Sequence, residues 1–157
     1  MNRNGLIKVI TFVLLLFSYS IVIVGQTQVN YARDTKRIWL DSDIAHNGGY
    51  KWKMMMARDV ADSGEKISLF GYPTTNWLPA IVPGTVLNSL VYNKKYPEPY
   101  YGLNNKIESQ LIPDIAEAGR DFYTYWFRTE FTVPESFNGR HVWLQIDGIN
   151  YRAEVWV

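Results

Sequence analysis

The sequence contains no cysteine, which excludes disulfide bonds, a thiol nucleophile and thiolate metal ligands. Its two histidines, His46 and His141, are far apart in the sequence and lack the local spacing of a metal site. The three methionines at positions 54–56 have no other soft ligands near them, so we interpret them as packing residues. We therefore expect neither a metal nor another cofactor.

Motifs for nucleotide binding and for acyl transfer are also missing. The sequence has no G-x-G-x-x-G, no G-x-x-x-x-G-K-[ST] and no G-x-S-x-G pattern. Carboxylates are present, but glycoside hydrolysis needs two of them across one bond, and the sequence alone pairs none. We therefore assign no catalytic residue to this chain.

The charge is nearly balanced, with 16 basic and 15 acidic residues. No run of Lys and Arg forms a basic patch, so we do not expect a nucleic-acid partner. The composition is 47% hydrophobic and 15% aromatic, which is typical of a globular domain with one core.

The N-terminus has the pattern of a secretory signal peptide. Arg3 and Lys8 precede the apolar run Val9–Val24, and Gly25 is a small residue at a plausible cleavage position. The run is shorter than the roughly 20 residues that a spanning helix needs, so we favour a signal peptide over a membrane anchor. We predict a signal peptide at 1–25, a periplasmic or extracellular location, and no stable membrane insertion after cleavage.

Residues 26–37 are polar, and we expect a loose leader there, followed by one domain at 38–157. An exported domain without cysteine has no disulfides, so packing alone must hold it together.

Alternation of apolar and polar residues predicts several strands in this domain. Residues 50–56 alternate, with one apolar face. Residues 125–133 alternate as well, and place Trp126, Arg128 and Glu130 on one side.

Two further strands are predicted near the end of the sequence, at 142–146 and 151–157. The alternation still runs at Val157, where a strand needs a partner or a protected edge, so we expect a sandwich that is incomplete at its C-terminus. The residues predicted to be buried in these two strands are Val142, Leu144, Ile146, Tyr151, Ala153, Val155 and Val157.

One short helix is predicted near 85–92, because Thr85 can cap an amphipathic segment that follows Pro83 and Gly84. Several short strands, one helix and many Gly and Pro turns together predict an all-β fold, an antiparallel β-sandwich.

A long loop follows the helix, and it is rich in Tyr and Asn. Tyr100, Tyr101, Asn104 and Asn105 lie within six positions. Aromatic rings cover the C–H faces of sugars, and Asn amides both donate and accept hydrogen bonds at the hydroxyl edges. Composition leaves open whether these tyrosines bind a sugar or pack the loop on the sandwich.

Five segments occur in an order that resembles a known family: "ISLFGYPTTNWLPAIVPGTVLNSLV", "YPEPYYGLNN", "IPD", "YWFRTEF" and "GRHVWLQIDGINYRAEVWV". Together they resemble the N-terminal sugar-binding domain of glycoside hydrolase family 2, in its exo-β-glucosaminidase and β-mannosidase-like members. Pro73 departs from this pattern, where an acidic residue is more usual. The resemblance implies a galactose-binding-domain-like jelly roll.

The resemblance also implies a function. The parent protein would be a retaining exo-β-glycosidase whose two catalytic glutamates lie in a barrel outside this chain. The partners implied are a carbohydrate substrate and the C-terminal domains of the same protein. Tyr100, Tyr101, Asn104 and Asn105 would contact substrate. The alternative is a non-catalytic carbohydrate-binding or surface-interaction module.

Overall fold

The computed structural model describes residues 7–15 and 37–157. The strands of these residues form one five-stranded sheet of order β3-β2-β4-β1-β5, and every pair of neighbouring strands is antiparallel. This agrees with the predicted all-β class. The strands are β1 (Ile7–Leu15), β2 (Lys53–Met56), β3 (Leu78–Pro79), β4 (Tyr125–Thr132) and β5 (Arg152–Trp156).

Three short helices lie in the connections, and the predicted one is confirmed. Helix α2 begins after Thr85, whose hydroxyl accepts a hydrogen bond from the Asn88 amide at 3.0 Å. The other two helices have four residues each, which is too short for a periodic signal in sequence. The helices are α1 (Gly64–Ile67), α2 (Val86–Tyr92) and α3 (Ile115–Ala118), and 3-10 turns occur at Ala57–Asp59, Ile107–Ser109, Arg120–Tyr123 and Glu135–Phe137.

The first face of the sheet carries the larger core cluster. Val86 and Leu90 of α2 pack there, because they lie on the one buried side of the helix. The predicted apolar face of residues 50–56 also lies here, which confirms the period-two pattern. The buried members are Trp52, Met54, Ala80, Val86, Leu90, Tyr123, Tyr125 and Phe127.

The second face of the sheet carries a smaller cluster of Ile67, Trp77 and Trp126. Met55 of β2 packs against it, whereas its neighbour Met54 packs on the first face. Successive residues of a strand point to opposite faces, so β2 and β4 each supply both clusters. The prediction that Phe127 and Trp126 lie on opposite sides is confirmed.

Arg128 is a buried charge on the second face, with 5% of its side chain exposed. Its guanidinium donates from Nε to the Ile67 carbonyl at 2.9 Å and from one terminal nitrogen to the Leu69 carbonyl at 2.8 Å. The same nitrogen lies 2.5 Å from a carboxylate oxygen of Glu130, which also accepts from the Gly71 amide at 2.9 Å. The chain after α1 is therefore fixed to β4 through one side chain.

The predicted strand at 142–146 is wrong. Residues 141–146 have no regular structure, and Trp143 is 88% exposed. Among the described residues no strand pairs with this segment. Period-two alternation becomes a strand only when a neighbouring strand satisfies its backbone hydrogen bonds.

Strand β5 forms, but its predicted buried face is wrong. Tyr151 and Val157 are more than 60% exposed, and Val155 is 38% exposed. Trp156, on the other side of the strand from the predicted buried face, packs on the second-face cluster instead. Its indole lies directly against Gly64, where any Cβ would clash with the ring. An aromatic side chain buries more apolar surface than a Val, which favours this orientation.

The N-terminal predictions stay predictions. The apolar segment Ile7–Leu15 is strand β1, between β4 and β5, and this pairing does not test cleavage. Residues 1–6 and 16–36, which include most of the expected leader, lie outside the described residues. In the described part of the chain, each helix falls short of the length and apolar character that crossing a bilayer requires.

We predict that Arg128→Ala lowers the free energy of unfolding by about 3–5 kcal/mol, because it leaves Glu130 and two backbone carbonyls without their buried donor. The matched control is Arg152→Ala. Arg152 forms an exposed pair with Glu154 at 3.6 Å, and its loss should cost less than about 1 kcal/mol. Denaturant unfolding of the two variants measures both values, and equal losses would contradict the role assigned to Arg128.

Candidate functional site

The Tyr/Asn loop, residues 93–111, carries the candidate residues predicted from sequence. Tyr100 is 92% exposed and Tyr101 is 77% exposed, so neither ring packs on the described sheet. Tyr96, earlier in the same loop, is half-buried against the first-face cluster. One tyrosine thus anchors the loop, and two others present their rings to solvent.

Backbone turns give this loop a defined shape. The Tyr101 amide donates to the Glu98 carbonyl at 3.2 Å, and the Asn104 amide donates to the Tyr101 carbonyl at 3.2 Å. The side-chain amide of Asn104 also donates to the Glu98 carbonyl at 2.8 Å. The side-chain amide of Asn104 therefore donates its hydrogen bond within the loop itself.

Asn105 differs from its neighbour. Its side chain is exposed, and it makes no hydrogen bond to any other described residue. Its amide group can still both donate and accept. The structure thus places all four predicted residues on one loop. Of Asn104 and Asn105, only Asn105 has a side chain without a hydrogen bond to a described residue.

The loop also exposes aliphatic residues. Leu103, Ile107 and Leu111 are each at least 50% exposed. Clusters of exposed large apolar side chains are typical of binding surfaces. This part of the molecule is therefore suited to contact another molecule or another domain.

Tyrosines that pack in the first-face cluster fix the chain near both ends of the loop. The Tyr123 hydroxyl donates to the Pro113 carbonyl at 2.5 Å, and Tyr96 packs on the same cluster as Tyr123 and Tyr125. Burial, and secondarily the nearby Tyr96, raises the pKa of Tyr123 to about 12 and that of Tyr125 to about 12. These hydroxyls stay neutral wherever the fold is intact at ordinary pH.

A concave feature elsewhere in the molecule was not predicted from the sequence. A cleft of about 370 Å³ lies beside the segment "YPTTNW". The only signal for it in the sequence is the pair of aromatic residues that flank polar ones. The cleft is lined by Met55, Asp59, Val60, Ala61, Tyr72, Pro73, Thr75, Asn76 and Trp77.

Within the described ranges, no three His, Asp or Glu side chains come together as a possible metal site. The features that the structure brings out are instead an exposed aromatic loop and a small mixed cleft on an antiparallel sheet. The antiparallel sheet and the short connecting helices place the domain in the all-β class.

Residues 52–157 match the family model described as the glycosyl hydrolase 2 galactose-binding domain-like domain. The chain therefore belongs to glycoside hydrolase family 2, and the resemblance found in its sequence is confirmed.

Three curated relatives resemble the chain. It is 48% identical over 118 residues to a mannosylglycoprotein endo-beta-mannosidase from Lilium longiflorum, covering 65% of this chain and 12% of the relative. It is 33% identical over 99 residues to an exo-beta-D-glucosaminidase from Streptomyces avermitilis, covering 62% and 10%. An exo-beta-D-glucosaminidase from Amycolatopsis orientalis is 31% identical over 91 residues, covering 58% and 8%.

The chain spans about a tenth of the length of these relatives. No solved structure matches it significantly. The subgroup expected from sequence, which comprises β-mannosidase-like and exo-β-glucosaminidase-like members, is confirmed by the names of these relatives.

We predict that Tyr123 and Tyr125 lose their protons only near pH 12 in the folded protein. Tyrosine in an unfolded chain has a pKa of about 10, so ionisation favours unfolding at high pH. The stability linked to these two hydroxyls is complete below about pH 10 and disappears as the pH rises through about 12. Tyrosinate absorbance during an alkaline titration measures this directly.

The matched variant is Tyr123→Phe, which keeps the ring and removes one hydroxyl. It should lack one late-titrating group in that titration. If the late phase persists with unchanged amplitude, the assignment to Tyr123 is wrong.

Proposed function

We propose that this chain is the N-terminal, carbohydrate-binding domain of a longer protein. That protein is a secreted, retaining exo-glycosidase that acts on β-linked mannose or glucosamine residues. Its membership of the family and the names of its relatives support this proposal. The relatives are roughly ten times as long as the matched part of this chain. In this proposal the catalytic groups belong to further sequence, and this chain contributes binding.

The observation that carries the proposal is the exposure of Tyr100 and Tyr101 on an ordered loop inside the family-matched residues. A flat aromatic ring in solvent offers its face to the C–H face of a sugar. Asn105 lies four positions after Tyr101. Its side-chain amide is available to form a hydrogen bond with a sugar hydroxyl.

Asn104 has a different part in this proposal. Because its side-chain amide is bound to the Glu98 carbonyl, it mainly fixes the loop that presents the two rings. Its carbonyl oxygen is the group left to accept a hydrogen bond from substrate.

A second candidate is an endo-acting enzyme for mannosylated glycoproteins. The relative named as a mannosylglycoprotein endo-beta-mannosidase is 48% identical, whereas the two exo-beta-D-glucosaminidases are 33% and 31% identical. That difference favours mannose over glucosamine as the sugar. Whether cleavage occurs at chain ends or internally is determined by identifying the reaction products.

Secretion is tested separately. We predict that expression of this chain in a secreting host gives an exported protein whose first residue is near Gln26, because the pattern at 1–25 is that of a signal peptide. N-terminal sequencing of the exported protein checks this. Recovery of the protein in the membrane with Met1 intact would contradict it.

We predict that the longest protein the gene encodes hydrolyses an aryl β-mannoside or an aryl β-glucosaminide, and that residues 1–157 alone hydrolyse neither. In the longer protein, Tyr100→Ala should raise KM roughly three- to tenfold, because an aromatic contact contributes about 0.5–1.5 kcal/mol. The matched control is Tyr100→Phe, which keeps the ring and should leave KM nearly unchanged.

The products decide the finer points. Release of single sugars from chain ends supports an exo-acting enzyme, and internal cleavage of a mannosylated glycopeptide supports an endo-acting enzyme. Retention of anomeric configuration supports the retaining mechanism. If the longer protein hydrolyses none of these substrates, the binding-module alternative replaces this proposal.

A further inference from the structure

The cleft beside residues 72–77 lies on the opposite face of the sheet from the anchor of the Tyr/Asn loop. Its lining residues Met55 and Trp77 belong to the second-face cluster. Tyr96, from which the loop extends, packs on the first-face cluster. The cleft is therefore a feature distinct from the proposed substrate loop.

The aromatic wall of the cleft is held in place before any ligand arrives. The Tyr72 hydroxyl donates to the Asp62 carboxylate at 3.0 Å, and the Tyr72 ring meets Trp77 edge-to-face at 6.0 Å. The guanidinium carbon of Arg128 lies 5.8 Å from the centre of the same ring. A ring fixed on several sides loses little freedom on binding, and this favours affinity.

The surroundings of Tyr72, burial first and then the hydrogen bond to Asp62, keep its hydroxyl neutral. Hydrogen bonds from Lys66 and then Tyr72 lower the pKa of Asp62, so this carboxylate remains a charged acceptor. Burial and the bond to Asp62 raise the pKa of Tyr72. The wall is thus an uncharged aromatic surface at neutral pH.

The rim of the cleft has polar side chains that are available for hydrogen bonds to a ligand. Thr75 and Asn76 are exposed, and their side chains form no hydrogen bond with any other residue that the structure describes. Asp59 Oδ1 lies 3.9 Å from Arg58 Nε. Both side chains of this ion pair are more than half exposed. A hydroxyl, an amide and a carboxylate are therefore available beside the half-buried ring of Tyr72, against which the buried Trp77 packs.

The charge of the lining selects the class of ligand. Asp59 is the one charged residue of the lining. The neighbouring Arg58 and Arg128 are already paired with Asp59 and Glu130, which disfavours an anionic ligand. The volume of about 370 Å³ is at the small end of ligand pockets, which run from about 300 to 1,000 Å³. Aromatic faces with hydroxyl, amide and carboxylate groups match a sugar ring.

We propose that this cleft is a second carbohydrate-binding site, separate from the Tyr/Asn loop, which takes one or two sugar rings without negative charge. The Tyr72 ring, supported by the buried Trp77, supplies the apolar wall, and Asp59, Thr75 and Asn76 bind hydroxyl or ammonium groups. The site does not depend on the proposed catalytic function, because none of its residues belongs to the loop.

The test titrates the full chain with mannotriose, with a glucosamine trimer and with a galacturonic acid trimer. Calorimetry gives the Kd, and backbone amide shifts in NMR spectra locate the bound sugar. We expect millimolar Kd values for at least one of the first two probes, with shifts at residues 59–61 and 72–77. The acidic trimer should not bind.

Variants assign the binding to the cleft. Asn76→Ala should weaken the Kd roughly three- to tenfold, since one hydrogen bond is lost, and Asp59→Asn should weaken mainly the cationic glucosamine trimer. Both residues are exposed, so neither change should disturb folding. The matched control is Asn88→Ala, an exposed asparagine of α2 away from the cleft, which should leave the Kd unchanged.

Three results would overturn this proposal. They are the absence of binding by mannotriose and the glucosamine trimer, equal binding by the acidic trimer, and a Kd that Asn76→Ala leaves unchanged. If binding is lost in Tyr100→Ala and kept in Asn76→Ala, the sugar sits on the loop. That outcome removes the second site and leaves the proposed function standing.

Discussion

The burial of one guanidinium group organises the second face of this domain. Arg128 is a central residue of β4, and its hydrogen bonds reach carbonyls of Ile67 and Leu69 that are 61 and 59 positions earlier in the chain. A buried charge must be fully paired to be tolerated, so the chain after α1 can take only a conformation that supplies those acceptors. Tyr72, and with it one wall of the cleft, is placed as a consequence.

Successive side chains of β4 point to opposite faces of the sheet, so the strand contributes to two different parts of the structure. Its odd-numbered residues Tyr125 and Phe127 build the core on which α2 and the anchor of the Tyr/Asn loop pack. Its even-numbered residues Trp126 and Arg128 support the cleft region. A single strand therefore supports two separate surface regions on opposite faces of one sheet.

Membership of glycoside hydrolase family 2 gives these surfaces a common context. A polysaccharide or a glycan contains many similar sugar rings, so a domain with two separate aromatic surfaces can contact two parts of one molecule. Linked weak sites of this kind bind more tightly than either site alone. Under the two proposals above, the contribution of the chain is to hold substrate.

The sequence by itself determined the features that depend on neighbours in the chain. Thr85 caps α2 through a residue three positions away, the faces of β4 follow from alternation, and the order of five local segments identified the family. Tertiary structure alone decided the rest. Trp156 turns inward because Gly64 leaves room for it, and residues 142–146 stay irregular because no described strand pairs with them. At the cleft, Tyr72 lies against the Arg128 guanidinium, which binds carbonyls about sixty residues away. These outcomes depend on contacts between distant segments, and such contacts leave no periodic signal in the sequence.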